Sequence, residues 1–374
     1  MTERREAGPS RRRVLETAKT LGVLGVAGCS ELNSSITGGS GGSNESIARW
    51  QVELTGWAGS PAIADGTLFV TEVFGAEEGS IYAVSTDDGS EQWRFTTDGT
   101  LTNPVVRDDS VYVGDADYVY SLSTADGSVE WERELPESNS IGGLTVTEDA
   151  VYAGSISSYV YSLARSDGSV NWQTWKQGTI FKKPAVVDGV VYAAGEQEPG
   201  VVYAFDAADG TEQWGVEVDR EIRAGPTVVD GTVYVSGLAL SANDGSEIWS
   251  SPVGEPFSAP GENVETAPVI VDNLVLLGTE DNYLLALDTS NGSVVWEFET
   301  GFNVSSTPTV ADGVVYFGSG DETLYALSAS DGTEQGSVTP GGEIYSAPTI
   351  GDDTIYVGTS SHAVYAIPLD RLSG

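Results

Sequence analysis

The chain has 374 residues, of which 40% are hydrophobic, and its formal charge is −39 because 56 acidic residues face 17 basic ones. A uniformly acidic surface repels polyanions, so this composition argues against non-specific binding to nucleic acid. The single cysteine, Cys29, excludes an intramolecular disulfide. Acidic residues run along the whole chain and lysine occurs only four times, which is typical of a halophilic protein whose self-repulsion is screened by salt.

The N-terminal residues 1–28 are predicted to be an export signal. The run SRRRVL contains three consecutive arginines, Arg11, Arg12 and Arg13. The apolar stretch at 21–27 is too short to span a bilayer, and the run VAGC then ends at Cys29. The arginines resemble a twin-arginine signal and VAGC resembles a lipobox, which implies that Cys29 carries lipid. The alternative is an ordinary basic N-terminus with a chance cysteine.

Residues 29–46 are rich in Gly and Ser and are predicted to be a flexible linker. Together with the signal, this linker predicts an exported protein that lipid on Cys29 anchors to the outer face of the cell membrane. The remaining residues, 47–374, form the predicted folded domain.

From residue 61 onward one pattern returns eight times: an apolar segment, an acidic turn and a second apolar segment. Its clear copies are PAIADGTLF, PVVRDDSVY, PAVVDGVVY, PTVVDGTVY, PTVADGVVY and PTIGDDTIY, and its weaker ones are LTVTEDAVY and PVIVDNLVL. The copies are 40 to 43 residues apart, and several short strands at this period predict a β-propeller. Each unit is read as four strands joined by tight turns in which Gly accepts a positive φ.

The last unit ends without its fourth strand, whereas the segment RWQVEL at 49–54 resembles a fourth strand with no unit before it. Pairing of these two ends closes the ring and leaves no open sheet edge. The sequence therefore predicts an all-β, eight-bladed propeller of four-stranded antiparallel blades, whose last blade is closed by the N-terminal strand.

The segment ALDTSNGSVVW places Ala286, Asp288, Gly292 and Trp296 at a spacing that recurs in other units. This spacing resembles the tryptophan-docking motif of the pyrroloquinoline-quinone-like propeller repeat family, and the likeness covers residues 50–370. The resemblance implies that each Trp packs between adjacent blades where Ala and Gly allow close approach. The docking residues it assigns are Trp50, Trp93, Trp131, Trp172, Trp214, Trp249 and Trp296. Gly336 stands at the Trp position of the seventh unit, so a looser contact is expected there.

A four-stranded meander sends its connections alternately to two faces. The turns from the first to the second strand and from the third to the fourth strand keep a fixed length, and they form what we call the fixed face. The hairpins from the second to the third strand and the crossings between blades form the variable face. From the aromatic residue to the next Asp-Gly, the interval is 19 residues in the first unit, 17 in the fourth and 10 in the fifth. Length variation on one face of a rigid scaffold predicts that specificity lies on that face.

The variable face also carries a local basic group, in the run WKQGTIFKK and on the crossing that follows it. The candidate contacts for a ligand or partner are Trp175, Lys176, Phe181, Lys182, Lys183 and Arg223. We expect Lys182, Lys183 and Arg223 near the mouth of the central channel, since these crossings lead into innermost strands. One interpretation is an anion-recognition site, and the other is charge compensation for carboxylates such as Glu221 and Glu265.

No catalytic centre is predicted. His362 is the only histidine, and a metal site built from His or Cys is excluded by count. Asp115 with Asp117, and Asp321 with Glu322, could offer oxygen ligands to Ca²⁺, although hairpins need such residues anyway. The resemblance also implies an enzymatic alternative, because the family includes alcohol dehydrogenases that use pyrroloquinoline quinone with Ca²⁺. Those enzymes typically have an adjacent cysteine pair, which this chain lacks.

The sequence thus favours a non-catalytic binding or scaffold module, similar in fold to the lipoprotein propellers that assist assembly of outer-membrane barrels. Its expected partner is a protein, an anionic glycan or a small ligand held on the variable face, with no nucleic acid, no resident cofactor and a monomeric state. The alternatives are the quinone-dependent dehydrogenase and a glycan-processing enzyme.

Overall fold

The computed structural model describes residues 47–74, 78–135, 138, 140–176, 182–195, 199–253 and 264–373. The arginines of the predicted export signal, Cys29 and the candidate contact Phe181 lie outside these residues. Within the described ranges, no helix has the length and apolar character that a membrane span requires. The described residues form eight antiparallel sheets, which we number as blades 1 to 8 in chain order.

The sheets are built from short strands with a single 3₁₀ turn after them. In chain order these are β1 (Trp50–Glu53), β2 (Trp57–Ala58), β3 (Ala62–Ala64), β4 (Thr67–Phe74), β5 (Gly79–Ser85), β6 (Glu91–Thr97), β7 (Val105–Arg107), β8 (Ser110–Gly114), β9 (Tyr118–Ser123), β10 (Val129–Glu134), β11 (Ile141–Val146), β12 (Ala150–Ser155), β13 (Tyr159–Ala164), β14 (Val170–Trp175), β15 (Ala185–Val187), β16 (Val190–Gly195), β17 (Gly200–Asp206), β18 (Glu212–Val218), β19 (Thr227–Val229), β20 (Thr232–Val235), β21 (Leu238–Ser241), β22 (Glu247–Ser250), β23 (Val269–Val271), β24 (Leu274–Gly278), β25 (Tyr283–Asp288), β26 (Val294–Glu299), β27 (Thr309–Ala311), β28 (Val314–Gly318), β29 (Leu324–Ser328), β30 (Glu334–Val338), β31 (Thr349–Gly351), β32 (Thr354–Thr359), β33 (Ala363–Pro368) and the 3₁₀ turn Leu369–Leu372.

The strand order confirms the predicted eight-bladed propeller. Blade 1 contains β2 to β6, and blades 2 to 7 take four consecutive strands each, from β7–β10 to β27–β30. Blade 8 joins β31, β32 and β33 to β1, with Trp50 opposite Ala366 and Glu53 opposite Ala363. The N-terminal strand is therefore the outer strand of the last blade.

The first-to-second turns show why an acidic residue followed by Gly recurs in the sequence. In the turn between β3 and β4, both Asp65 (φ 46°) and Gly66 (φ 74°) are left-handed. A two-residue turn with both central residues at positive φ matches the twist of the strands, and Asp tolerates this region better than most residues. The short turn fixes the length of this connection.

The hydrophobic core lies between blades. It divides into eight clusters, and each combines residues of two neighbouring blades, including the pair formed by blades 8 and 1. For example, Tyr234 of blade 5 packs in one cluster with Leu277 of blade 6. The second and third strands of each blade are covered on both faces by the neighbouring blades. Their sequences are therefore continuous apolar runs rather than alternating apolar and polar residues.

A tryptophan lies at seven of the eight blade junctions among the described residues. At the junction of blades 5 and 6, Trp249 donates its indole N–H to the Thr289 carbonyl oxygen at 2.8 Å and is 7% exposed. Its ring covers Gly292 of blade 6, where an added Cβ would lie 2.4 Å from the indole. The equivalent indole N–H groups, all bonded to a carbonyl of the next blade, are those of Trp50, Trp93, Trp131, Trp172, Trp214 and Trp296.

Each docking tryptophan also faces a small residue on its own sheet. Trp296 lies opposite Ala286 in the ladder, and Trp131 lies opposite Ser121. Truncation of a buried ring of this size costs about 3–5 kcal/mol. The recurrent Ala, Gly and Trp are therefore one contact repeated around the ring.

The junction of blades 7 and 8 is built differently. Gly336 takes the place of the tryptophan, and the 3₁₀ turn brings Leu372 to the place where other blades have the docking glycine. Leu372 is 2% exposed, and a Cβ on Gly336 would lie 2.5 Å from the Leu372 carbonyl oxygen. The contact between blades 7 and 8 is therefore not looser, as was expected, because the C-terminal 3₁₀ turn fills the space that the missing tryptophan would occupy.

The innermost strands line the central channel and are tied to one another by threonines. Four hydroxyl groups donate to the carbonyl of the proline that opens the next innermost strand, at 2.5 to 2.6 Å: Thr145 to Pro184, Thr227 to Pro268, Thr309 to Pro348 and Thr349 to Pro61. These bonds join different blades across the channel wall. They position the residues that precede each proline at the mouth of the channel on the variable face.

Candidate functional site

Blade 1 extends further toward the variable face than its neighbours. Strand β4 has eight residues, and its final part pairs with β2 whereas its first part pairs with β3. The extension carries an aromatic cluster made of Trp57, Phe74 and Tyr345. Trp57 stacks on Tyr345 with ring centroids 6.0 Å apart and meets Phe74 edge-on at 5.8 Å. Phe74 is 65% exposed, so the cluster presents apolar surface to solvent.

The buried carboxylate of Glu72 holds the segment of chain that leads to this cluster. Glu72 is 1% exposed, and its Oε1 accepts hydrogen bonds from the Thr55 amide at 2.6 Å, the Thr55 hydroxyl at 2.6 Å and the Tyr82 hydroxyl at 2.9 Å. Burial, together with the hydrogen bond to Glu72, raises the pKa of Tyr82. Glu72 therefore fixes the crossing from β1 to β2, on which Trp57 stands.

The predicted basic group is separated by the structure into different environments. Lys176 forms an ion pair with Glu212 at 2.5 Å and lies 5.7 Å from the ring centre of Phe205. Trp175, at the end of outer strand β14, is 59% exposed and pairs across the ladder with Tyr159. Both residues lie on the outer part of the blade 3–4 junction rather than on an innermost strand.

Arg223 contacts three carboxylates. Its guanidinium reaches Glu265 at 2.6 Å, Glu280 at 2.8 Å and Glu221 at 3.2 Å. Burial acts to lower the pKa of Arg223, but the hydrogen bonds to Glu265 and Glu221 outweigh it and raise the pKa. The contacts with Glu221 and Glu265 match the interpretation of this residue as charge compensation.

Lys182 and Lys183 precede innermost strand β15. Lys182 is half-buried and has an interaction partner. The Lys183 side chain is exposed, and its backbone packs against two innermost segments: a Cβ on Gly143 would lie 2.9 Å from Lys183 Cβ, and one on Gly225 would lie 2.4 Å from the Lys183 carbonyl oxygen. Lys183 thus lies in the channel wall.

The carboxylates considered for Ca²⁺ serve as hydrogen-bond acceptors in their hairpins. Asp115 accepts from the amides of Asp117 and Tyr118 at 2.9 and 2.7 Å and from the Tyr120 hydroxyl at 3.0 Å. Asp321 likewise accepts from the Gly301 amide and, at 2.7 Å, from the Tyr325 hydroxyl. These carboxylates hold the hairpins in shape.

The described residues do not fit a quinone site with Ca²⁺. Within them, no group of three or more His, Cys, Asp or Glu side chains is placed to hold a metal ion. The hairpin carboxylates already accept hydrogen bonds, and Cys29 is the only cysteine in the chain. The sole histidine, His362, lies in a hairpin at φ 64°.

The carboxylate–tyrosine contacts were not predicted from the sequence. A carboxylate near the second-to-third hairpin accepts the hydroxyl of a third-strand tyrosine in three blades: Glu72 with Tyr82, Asp115 with Tyr120 and Asp321 with Tyr325. The recurrent tyrosine is visible in the sequence. Its partner is not, because the acid comes from a different position in each hairpin.

A cavity of about 580 Å³ opens between blades 4 and 5, where the hairpin of blade 5 is shortest. Its apolar lining includes Val218, Leu238 and Leu240. Beside them Arg220, which is 5% exposed, donates to the Ser236 carbonyl at 2.8 Å and to the Ser250 hydroxyl at 2.7 Å. Arg220 therefore joins the crossing from blade 4 to the shortened strands of blade 5.

A family model described as outer membrane protein assembly factor BamB matches residues 47–199, 198–301 and 294–374. The chain belongs to this family. No curated protein matches it in sequence. Membership in the BamB family agrees with the propeller repeat, and a propeller of this family is compatible with a scaffold or binding module.

Solved structures with the same fold come from different sources. BamB from Moraxella catarrhalis is 18% identical, with a TM-score of 0.66 over 84% of this chain and 95% of that one. The computationally designed Ika8 protein is 15% identical, with a TM-score of 0.73 over 86% and 99%. Saccharomyces cerevisiae Sqt1 is 11% identical, with a TM-score of 0.72 over 86% and 98%. At these identities the likeness concerns the fold alone.

Proposed function

We propose that this protein is an exported, lipid-anchored scaffold that holds a protein partner on its variable face without catalysing a reaction. The aromatic cluster of Trp57, Phe74 and Tyr345 carries this proposal. Aromatic side chains are enriched among the residues that carry binding energy at protein interfaces, and the exposed Phe74 is joined through Trp57 to Tyr345 rather than standing alone on the surface. Membership in the BamB family supports the assignment, since that description names an assembly factor for other proteins.

The cluster is suited to binding because it is held in place before a partner arrives. Glu72 fixes the crossing that carries Trp57, and the ring contacts of Trp57 with Phe74 and Tyr345 restrict all three side chains. Little side-chain entropy is then lost on association. In concentrated salt, charge attraction is screened within a few ångströms, so apolar contacts contribute more to affinity.

The lipid anchor remains part of the proposal. Lipid on Cys29 and the linker at 29–46 would place the propeller at the outer face of the cell membrane, with the export arginines removed. Trp175 and Lys176 supply further contacts at the rim of the same face, where Trp175 is exposed and Lys176 is held by Glu212.

Crosslinking on intact cells, followed by purification of the propeller and its bound proteins, tests this function. The double variant Trp57→Ser with Phe74→Ser should recover a specific partner at a yield at least about tenfold lower, which corresponds to about 1.4 kcal/mol. The matched control is Val129→Ser with Val294→Ser, which removes two exposed apolar residues from outer strands. Equal recovery by the cluster variant and the wild type would contradict the proposed surface.

A further inference from the structure

Lys183 differs from the other cations of the predicted basic group in where it lies. It immediately precedes Pro184, which opens the innermost strand of blade 4 and accepts the hydroxyl of Thr145 from blade 3. Its backbone lies between Gly143 of blade 3 and Gly225 of blade 5. These three residues are therefore adjacent in the channel wall, and neither glycine has a side chain that could cover the ammonium group of Lys183.

Lys183 also differs in its charge environment. Lys176 and Arg223 are each paired with carboxylates, and Lys182 has a partner. Across the described part of the chain, no carboxylate lies within ion-pair distance of Lys183 Nζ. In a protein with a formal charge of −39, an ammonium group without a carboxylate partner is unexpected.

The position has an energetic cost that an anion would offset. The Lys183 side chain is exposed, but its backbone is packed against Gly143 and Gly225 in the channel wall, and partial desolvation there lowers its pKa. A desolvated ammonium group gains most from a charge-assisted hydrogen bond, which acts by direct contact and so persists in concentrated salt. Lysine offers three donors to the oxygens of such an anion.

We propose that Lys183 binds an oxyanion, a carboxylate, phosphate or sulfate group, of a ligand that enters the central channel from the variable face. The site is distinct from the aromatic cluster, because it lies in blade 4, which is four blades from blade 8 and three from blade 1 in the ring of eight. Its occupant is recognised by the negative group rather than by apolar area. The site can therefore exist whether or not the aromatic cluster binds a protein.

The small number of lysines makes a direct test practical. In the full chain labelled with ¹⁵N and ¹³C, the Nζ–Cε resonances of four lysines can be resolved and assigned with single Lys→Gln variants. Acetate, inorganic phosphate and sulfate are titrated separately at constant ionic strength, with chloride as the reference anion. We expect a saturable shift of the Lys183 resonance with at least one oxyanion and no saturable shift of the Lys176 resonance.

The matched pair of variants is Lys183→Gln and Lys182→Gln, which remove the same charge from adjacent positions. Lys183→Gln should weaken oxyanion binding at least about tenfold, whereas Lys182→Gln should stay within twofold. Binding should also weaken as pH rises through the lowered pKa of Lys183, since only the protonated amine binds. The same response to chloride, or equal losses in the two variants, would overturn the proposal without bearing on the aromatic cluster.

Discussion

Gly336 and Leu372 reverse the arrangement of large and small residues that the other blade junctions have. Gly336 stands at the position of the docking tryptophan, and Leu372 stands at the position of the docking glycine. Leu372 follows Ala366 by six residues, as Gly292 follows Ala286, so it occupies the docking-glycine position of blade 8. At this junction the large residue therefore belongs to blade 8 and the small residue to blade 7, whereas at the other junctions the earlier blade supplies the tryptophan and the next blade supplies the glycine. The junction keeps its packing because Leu372 is buried against the strand that contains Gly336.

This exchange predicts a strong coupling between the two positions. Gly336→Trp should destabilise the protein by about 3 kcal/mol or more, because the new side chain meets the Leu372 backbone 2.5 Å away. Adding Leu372→Gly should make the double variant more stable than the sum of the two single effects predicts, by about 2 kcal/mol. Denaturant unfolding at constant salt measures all four proteins. As a control, Gly336→Trp combined with Leu163→Gly in distant blade 3 should be additive.

The closing strand gives a second prediction. Deleting residues 47–54 removes β1 and leaves β33 as an unpaired edge, so the protein should melt at a lower temperature and associate in a concentration-dependent way. Trp50→Ala retains the strand but loses the docked ring, so the protein should stay monomeric and lose less than the about 3–5 kcal/mol of a fully buried ring, because Trp50 is only half-buried. Light scattering with thermal melts separates the two effects. A deletion variant that melts like the wild type and stays monomeric would contradict the closure.

Tyr325 predicts a loss of stability at alkaline pH. Burial and the hydrogen bond to Asp321 raise the pKa of Tyr325 from 10.0 to about 12. The folded protein then holds this proton more tightly than the unfolded chain, so the contribution is complete below pH 10 and is lost as pH rises toward 12. Asp321→Asn should lower this pKa, as read from the tyrosine Cζ resonance, whereas Asp312→Asn in the same blade should not.

Much of this fold could be predicted from the sequence because the same sequence pattern repeats once in every blade. The repeat of about forty residues, the Asp-Gly turns and the segment around Trp50 together specified eight blades and their closure. The role of Leu372 could not be predicted in the same way, because the docking motif is recognised by a glycine at that position and this unit has a leucine there.

The site was less predictable for an electrostatic reason. With 56 acidic residues in the chain, spacing cannot say which carboxylate pairs with Arg223 or Lys176, and the three-dimensional contacts alone single out Lys183. The aromatic cluster was also missed, since Trp57 and Tyr345 are far apart in the chain and belong to different blades.

The proposed tether predicts a change of location without a change of fold. Cys29→Ser should release the protein from membranes into the medium, because no lipid can then be attached. Its melting temperature should equal that of the wild type, and replacing Arg11, Arg12 and Arg13 by lysine should instead block export. Fractionation at high salt measures both outcomes. A Ser variant that remains with the membranes would contradict lipidation at this residue.

Reconstitution tests the enzymatic alternative. Purified protein incubated with pyrroloquinoline quinone and Ca²⁺ should retain no stoichiometric quinone after desalting and should show no dye-linked oxidation of alcohols. The physical reason is that Asp115 and Asp321 already accept several hydrogen bonds and have little capacity left for a cation. Retention of one quinone per chain would make the dehydrogenase the better assignment.

The pairing of β1 with β33 determines the order in which the propeller can fold. Arg49 contacts Asp353 at 2.6 Å across 304 residues of chain, whereas blades 1 to 7 each assemble from consecutive segments. Closing so long a loop costs about 2 kcal/mol more entropy than closing one of about forty residues. Seven blades can therefore nucleate locally, while blade 8 is completed last and its outer strand is the first to separate when the ring opens.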